Sequence, residues 1–193
     1  MEIHLVRHTS VAVEKGTYYG QTDVPLAESF QEEAEAYQAS LPQDFDMVFC
    51  SPMKRCVQLT ESVHSNFENQ TIPLKMDDRL KELYFGEWEG KKWTEMDQKM
   101  FYAWMEDFVN INTPAGENLN DLFLRCKSFL DELSQQDYQK VLLVSHAGFI
   151  RCTWAYLLEV PLKNIFKIPV AFGETMVFNL SPNKTDNYLI RKK

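Results

Sequence analysis

The chain has 193 residues, 45% of them hydrophobic and 25% charged, and a formal net charge of −8. This length and composition predict one globular domain spanning residues 1–193 and exclude a disordered chain. The acidic balance, the lack of a run of ~20 apolar residues and an N-terminus without signal-peptide features predict a cytoplasmic protein that binds neither nucleic acid nor a membrane.

The first predicted strand covers residues 3–6 and ends at Arg7-His8. Residues 9–25 contain two glycines and a proline, which predicts a loop. A Glu-, Gln- and Ala-rich stretch from residue 26 to about residue 40 predicts a surface helix.

A second buried strand is predicted over residues 46–50, where it ends at Ser51-Pro52. A helix over 53–67 follows, and residues 72–76 predict a third strand. Because Pro73 cannot donate to a strand ladder, that strand is expected at the edge or start of pairing.

Residues 79–92 form an irregular aromatic and acidic segment, and helices are predicted over about 93–108 and 117–135. Residues 141–144 are all apolar, as expected of a strand buried on both faces. This strand ends at Ser145-His146, and a helix follows to about residue 159.

Residues 174–180 and 188–190 predict late strands that can pair as a hairpin. Strands that alternate with helices predict an α/β fold with three layers, α/β/α, and a mostly parallel central sheet. In such sheets ligands bind beyond the carboxyl ends of the strands.

Three of the predicted strands end in polar groups that this topology brings to one rim. These are Arg7 and His8, then Ser51 with Arg55 a turn later, and finally His146. Arginine offers planar donors that bind phosphate oxygens in pairs. The sequence therefore predicts an oxyanion pocket, with further N–H donors from helix N-termini near residues 53 and 148.

The two histidines suit phosphoryl transfer. A neutral imidazole can attack phosphorus to form a phosphoenzyme, and a second imidazole, if protonated, can stabilise charge on the phosphoryl oxygens. Gly148 would let the backbone approach the bound group. No metal-ligand or phosphate-loop motif is present, so no metal and no other cofactor is expected.

A leaving alkoxide needs a proton, and Glu82 is the preferred donor because the aromatic residues around it would raise its pKa. Glu87 and Glu89 are alternatives on composition alone.

Each of these residues also has a plain structural interpretation. An arginine can form a surface ion pair, and a histidine at a strand end is more often a capping or packing residue. The joint placement of the four residues favours the site.

His4 and His64 lack such partners and are expected to be structural or solvated. The four cysteines form no Cys-x-x-Cys pattern and are expected to be reduced and buried.

At these residues the sequence resembles the phosphoglycerate-mutase-like branch of the histidine phosphatase superfamily. The resemblance covers most of the chain, in order. The matching segments are Leu5–His8, Ser51–Arg55, Leu80–Gly90 and Val144–Gly148.

The resemblance implies that His8 is the phosphorylated nucleophile and Glu82 the proton donor. Arg7, Arg55 and His146 would hold the phosphoryl group, with Ala147 and Gly148 beside it in the second histidine motif. Gln21 matches a loop position that in this family often lines the phosphate or substrate pocket.

Two positions depart from the family, which usually has Gly after the nucleophile and Asn a few residues later. Thr9 and Glu14 stand there instead. Arg-His-Thr followed by the segment Tyr19–Leu26 is similar to the α-ribazole-5′-phosphate phosphatase subgroup of cobalamin synthesis.

The resemblance implies a metal-independent phosphomonoesterase that acts on a small phosphorylated metabolite, with α-ribazole 5′-phosphate as the first candidate. A phosphoglycerate mutase or a broad sugar-phosphate phosphatase remains open, although the chain lacks the extra length typical of mutases. A module that binds phosphorylated ligands without turnover is a further alternative. The protein is expected to be a monomer or a dimer.

Overall fold

The computed structural model describes residues 1–67 and 71–192 and contains a six-stranded mixed sheet. The strand order is β3-β2-β4-β1-β5-β6. Strands β1 to β4 pair in parallel, whereas β5 is antiparallel to both β1 and β6. The strands are β1 (Glu2–Arg7), β2 (Met47–Cys50), β3 (Leu74–Met76), β4 (Lys140–Ser145), β5 (Thr175–Asn179) and β6 (Tyr188–Lys192).

Helices cover both faces of this sheet. The α-helices are α1 (Phe30–Ser40), α2 (Lys54–His64), α3 (Gln98–Glu106), α4 (Leu119–Leu133) and α5 (Ala147–Leu158). The predicted α/β fold with a mostly parallel sheet, in three layers, is confirmed, as is the late hairpin of β5 and β6.

Successive residues of the central strands enter two different cores. Leu142 and Val144 of β4 pack with α1 and α2, whereas Val141 and Leu143 pack with α4 and α5. Side chains of a strand alternate between faces, so a strand that is apolar at every position requires cover on both. The run at 141–144 therefore lies near the middle of the sheet, as predicted, and short β3 lies at its edge.

Three helix predictions are wrong in extent, and one of them, the helix predicted over 53–67, already ends at His64. The helix predicted from residue 26 begins at Phe30, because Ala27 to Ser29 form the turn that precedes it. The helix predicted over 93–108 divides into a 3-10 turn, Trp93–Glu95, and α3. Asp97 causes the division, since its carboxylate caps α3 by accepting the backbone N–H of Met100.

All four cysteines are free and buried, which confirms their predicted role as small core residues. In the part of the chain that the structure describes, no helix is long and apolar enough to cross a bilayer.

Candidate active site

The carboxyl ends of β1, β2 and β4 meet at one rim of the sheet. Parallel pairing aligns Arg7 with Ser145 and Cys50 with Val144, so the residues that follow each strand become neighbours. The ring centroids of His8 and His146 are 5.2 Å apart. The predicted juxtaposition at one rim is therefore present.

His8 is a buried, neutral imidazole whose tautomer is set by the backbone. Its Nδ1 lies 2.8 Å from the carbonyl oxygen of Thr9, which can only accept, so Nδ1 carries the proton. Burial, and after it the charges of Arg55 and Arg7, lower the pKa of His8 to about 3. The Nε2 lone pair is thus available near neutral pH.

His146 is also neutral, but with the opposite tautomer. The Nε of Arg55 donates to its Nδ1 at 3.3 Å, so the proton resides on Nε2, which lies 2.8 Å from Ser51 Oγ. Burial and then the charge of Arg55 hold the pKa of His146 well below its usual value. The sequence analysis considers a protonated His146 that stabilises charge on the phosphoryl oxygens, and this arrangement does not support that role. Both of its nitrogens are occupied inside the protein.

Arg55 is a cation buried to 1% exposure and held by neutral acceptors. Besides His146, it donates to the carbonyl oxygens of Gly20 at 2.6 Å and Thr22 at 3.0 Å. Among the described residues no carboxylate pairs with it. A buried charge without a counter-ion is costly, so the site favours an anion beside it.

Arg7 adds a second guanidinium. Its NH1 donates to the carbonyl oxygen of Val170 at 2.6 Å, while its Nε is buried without a hydrogen-bond partner. Burial lowers the pKa of Arg7, and the hydroxyl of Tyr19 and the carboxylate of Glu82 partly offset that effect. Within residues 1–67 and 71–192, Arg7 also lacks a carboxylate within ion-pair distance.

Glu82 is held by backbone donors rather than by an apolar surround. Its carboxylate accepts the N–H of Leu83 at 2.9 Å and of Gly148 at 3.0 Å. Of the aromatic residues expected around it, Trp88 is buried in a separate aromatic cluster and Tyr84 is 40% exposed. The expected apolar environment of Glu82 is therefore wrong.

The carboxylate of Glu82 occupies the space beside Gly148 that a side chain would fill. A Cβ at this position would lie 2.1 Å from Glu82 Oε1. The N–H of Gly148 is already bound to the same carboxylate, and at the other helix the N–H of Lys54 donates to Asp23 at 3.0 Å. One N–H group at each predicted helix N-terminus is therefore already bound by a carboxylate of the protein, so it is not free for a ligand.

Arg125 and Glu117 clamp the segment that carries Glu82, and sequence reasoning missed the arginine. Arg125 donates to three carbonyl oxygens of one short segment, those of Arg79, Lys81 and Glu82. Its guanidinium also forms a two-point pair with Glu117, which in turn accepts the N–H of Tyr84. Nothing in the residues near Arg125 signals this role, since the three carbonyl groups that it binds are 43 to 46 positions away.

The other acidic residues of this segment differ in placement. Glu89 accepts the N–H groups of Gln21 and Phe85 and the hydroxyl of Thr22, so it braces the loop. Glu87 is exposed. The side-chain amide of Gln21 donates to the carbonyl oxygen of Glu82 at 3.0 Å, which ties the loop of Gln21 to the candidate proton donor.

The positions that depart from the family pattern lie in different places. Thr9 is fully buried beside His8, and its hydroxyl lacks a partner in the described chain. Glu14 is exposed and pairs with Lys92 on the surface, so it does not support the nucleophile. Ala147 is buried as the first residue of α5.

The assembled site presents a neutral imidazole with a free lone pair, two guanidinium groups without carboxylate partners and a nearby carboxylate. This set can bind a tetrahedral oxyanion, attack its central atom and exchange a proton with a leaving oxygen. Within the described residues, no group of three or more His, Cys, Asp or Glu side chains is arranged to hold a metal ion.

Comparison with known proteins agrees with this geometry. Residues 3–191 match the family model of the histidine phosphatase superfamily (branch 1). The chain is 30% identical over 179 residues to an adenosylcobalamin/alpha-ribazole phosphatase of Salmonella typhimurium, covering 90% of this chain and 87% of that one. It is 27% identical over 175 residues to a 2,3-bisphosphoglycerate-dependent phosphoglycerate mutase of Cytophaga hutchinsonii, covering 86% and 81%.

The fold matches that of a solved relative closely. The crystal structure of the alpha-ribazole phosphatase from Shigella flexneri superposes with a TM-score of 0.87 at 26% identity. The match covers 98% of this chain and 94% of that one.

Proposed function

The chain belongs to the histidine phosphatase superfamily and is a phosphatase of that superfamily, and we propose that it hydrolyses phosphomonoesters of small metabolites through a phosphohistidine, without a metal. The observation that carries the proposal is the state of His8. The imidazole is neutral, Thr9 holds the proton on Nδ1, and two arginines without carboxylate partners flank the ring.

In the first step of this proposal, Nε2 of His8 attacks phosphorus as the bond from phosphorus to the ester oxygen breaks. Glu82 enters this step as the carboxylic acid, gives its proton to the leaving oxygen and becomes a carboxylate, and the alcohol departs. In the second step water attacks the phosphohistidine, gives its proton to Glu82 and releases phosphate, which restores neutral His8.

Arg7 and Arg55 supply the charge that balances the phosphoryl oxygens in both steps. Because Arg55 donates to Nδ1 of His146, that histidine serves to orient the guanidinium. The donors are in place before the phosphate arrives, so little reorganisation is required.

The experiment that tests the nucleophile is the variant His8→Ala. We expect turnover to fall by about 10⁴-fold or more and an acid-labile phosphoenzyme to disappear. His64→Ala is the matched control, because His64 lies on α2 and bonds the carbonyl oxygen of Ile72. Full activity in His8→Ala would refute the assignment.

For the substrate, we propose α-ribazole 5′-phosphate. The support is the resemblance of the Tyr19–Leu26 segment to that subgroup, and the relatives from Salmonella and Shigella that bear the name. A phosphate-release panel should include this ester beside phosphoserine, sugar phosphates and nucleotides. We expect its kcat/KM to exceed that of the others at least about tenfold, and equal values would refute the substrate.

The relative from Cytophaga hutchinsonii supports a second candidate, a phosphoglycerate mutase. Incubation with 3-phosphoglycerate, in the presence of catalytic 2,3-bisphosphoglycerate, distinguishes the two. Hydrolysis releases inorganic phosphate, whereas a mutase forms 2-phosphoglycerate without releasing it. We expect phosphate release.

A further inference from the structure

The segment that precedes β5, residues 168–174, folds over the carboxyl end of β1, and we call it the 168–174 strap. The backbone N–H of Arg7 donates to the carbonyl oxygen of Glu174 at 3.2 Å. The hydroxyl of Tyr37 bridges the carbonyl oxygens of the same two residues, at 3.1 and 3.0 Å. The strap is therefore attached to the residue that precedes the candidate nucleophile.

The conformation of the strap is a tight turn that presents Phe172. Gly173 has φ +71°, which a residue with a side chain adopts only with strain. The N–H of Ala171 donates to the carboxylate of Glu174 at 2.6 Å, and the N–H of Glu174 donates to the carbonyl oxygen of Ala171 at 3.3 Å. These bonds fix where the side chain of Phe172 points.

Phe172 stacks directly on the guanidinium of Arg7. The central carbon of the guanidinium lies 3.7 Å from the ring centroid, and the ring of His8 lies 5.5 Å from the same centroid. The strap also holds the guanidinium from its edge, because NH1 of Arg7 donates to the carbonyl oxygen of Val170. One face and one edge of the guanidinium are thus occupied by the strap.

The remaining edge of Arg7 is left for a ligand. With NH1 bound to Val170, the edge formed by Nε and NH2 is the fork that can bind two oxygens of one phosphate. Nε is buried without a partner, which is costly unless a ligand supplies the acceptor. An arginine side chain has several rotatable bonds. Val170 holds one edge and the hydroxyl of Tyr19 also interacts with Arg7, while Phe172 restricts the guanidinium plane from its face.

We infer that Phe172 is a positioning residue for Arg7, holding the guanidinium plane so that its Nε edge faces the phosphoryl group bound at His8. This inference rests on the proposed function for the identity of the bound group. Phe172 itself makes no bond to the substrate in this role. Its effect passes through Arg7 and is seen as affinity for the oxyanion.

The direct test measures binding of inorganic phosphate and of orthovanadate by calorimetry, which needs no turnover. We expect Phe172→Leu to weaken both about tenfold, and Phe172→Tyr to stay within about twofold of the natural protein, because a phenol ring retains the stacking face. Tyr188→Leu, an exposed aromatic on the edge strand β6, is the control and should have no effect. Equal affinities for Phe172→Leu and the natural protein would overturn the inference.

A double-mutant cycle tests the route of the effect. Arg7→Lys removes the planar fork, so Phe172→Leu should cost little further affinity in that background. Independent, multiplicative losses would show that Phe172 does not act through Arg7. Phe172 is 38% exposed, so folded variants are expected, and Phe172→Met offers a second aliphatic replacement.

Kinetics separate positioning of Arg7 from contact with the leaving group. The factor lost in kcat/KM on Phe172→Leu should be equal for an aryl phosphate and for a small alkyl phosphate, since both carry the same phosphoryl group. A loss confined to aromatic substrates would overturn the inference. Absence of turnover by the natural protein would contradict the proposed function instead, while the binding measurements would still decide the role of Phe172.

Discussion

At the scale of single residues, two buried histidines in the same pocket differ in tautomer because their neighbours differ. His8 faces a carbonyl oxygen, which accepts only, and so keeps its proton on Nδ1. His146 faces the Nε–H of Arg55, which donates only, and so keeps its proton on Nε2. One imidazole becomes available for attack, and the other becomes a support for the arginine.

This difference predicts a result in nuclear magnetic resonance. The ring nitrogen shifts should show Nδ1–H for His8 and Nε2–H for His146, and neither ring should titrate between pH 7 and 5. An ordinary imidazole with a pKa of 6.5 would be only about 3% neutral at pH 5. Titration of His8 near pH 6.5 would contradict the assigned state.

Gly148 yields a second residue-scale prediction. Replacement of a helical glycine by alanine ordinarily stabilises a helix by about 0.5–1 kcal/mol. In this protein we expect Gly148→Ala to lower kcat about 10- to 100-fold, because the new methyl group would displace the carboxylate of Glu82. Steady-state assays with a poor and a good leaving group provide the measurement.

The double variant Gly148→Ala, Glu82→Ala is the control for this clash. Once the carboxylate is absent, the added methyl group should cost no further activity relative to Glu82→Ala alone. A further loss there would show that Gly148 serves some other contact.

At the scale of elements, the irregular segment that carries Glu82 owes its shape to a neighbouring helix. Leu80 ends a short 3-10 turn and Glu82 lies just beyond it, and the carbonyl groups of both are bound by Ser145 at the end of β4 and by Arg125 of α4. A segment with few backbone bonds of its own can be precise when its carbonyl groups are bound by other elements. The conformation of the segment that carries Glu82 therefore depends on its contacts with β4 and α4.

Arg125→Met should therefore weaken both stability and chemistry. The variant removes one donor from each of three carbonyl oxygens and two from the carboxylate of Glu117, and we expect a loss of about 2–3 kcal/mol in the free energy of unfolding. Urea denaturation measures the loss. Activity toward poor leaving groups should fall more than activity toward aryl phosphates, because the position of Glu82 is disturbed.

Lys127→Met is the comparison for this prediction. Lys127 lies on the same helix and pairs with Asp131 at a half-exposed position, and such pairs contribute about 0–1 kcal/mol. A loss as large as that of Arg125→Met would indicate that general charge removal, and not the clamp, is responsible.

At the scale of the whole molecule, an acidic protein of net charge −8 surrounds a pocket with one buried guanidinium group, Arg55, and one half-buried, Arg7. The described ion pairs lie elsewhere, so the charge of these arginines is available to a bound anion.

Folding also buries three of the four histidines in neutral form: His4, His8 and His146. Those histidines link stability to pH.

Because the pKa of each is lowered on folding, the unfolded chain binds more protons than the folded chain below about pH 6.5. The free energy of unfolding therefore has its full value above that pH. It decreases as the pH falls toward the pKa of the histidine in the folded protein, which for His8 is about 3. Through His8 we expect roughly 1.5 kcal/mol of the free energy of unfolding to be lost between pH 6.5 and 5. His8→Gln should lose less than the natural protein over this range in urea denaturation, and parallel curves would contradict the burial of a neutral imidazole.

The sequence by itself determined the layer architecture and which residues meet. Alternation of strands with helices and the fully apolar run at 141–144 predict a parallel sheet covered on both faces, and parallel strands deliver their carboxyl ends to one rim. Arg7, His8, Arg55 and His146 follow from that local pattern. Glu82 came from resemblance and composition, and its surroundings were predicted wrongly.

Only the tertiary structure decided how those residues are held. The tautomers of His8 and His146, the carboxylate that occupies the N–H of Gly148, the clamp of Arg125 and the contact of Phe172 with Arg7 all join residues that are distant in sequence, or depend on which lone pair faces which donor. The periodicity of a sequence records which face of an element is apolar. It does not record which distant carbonyl or carboxylate each polar group meets, because that is settled when the elements pack.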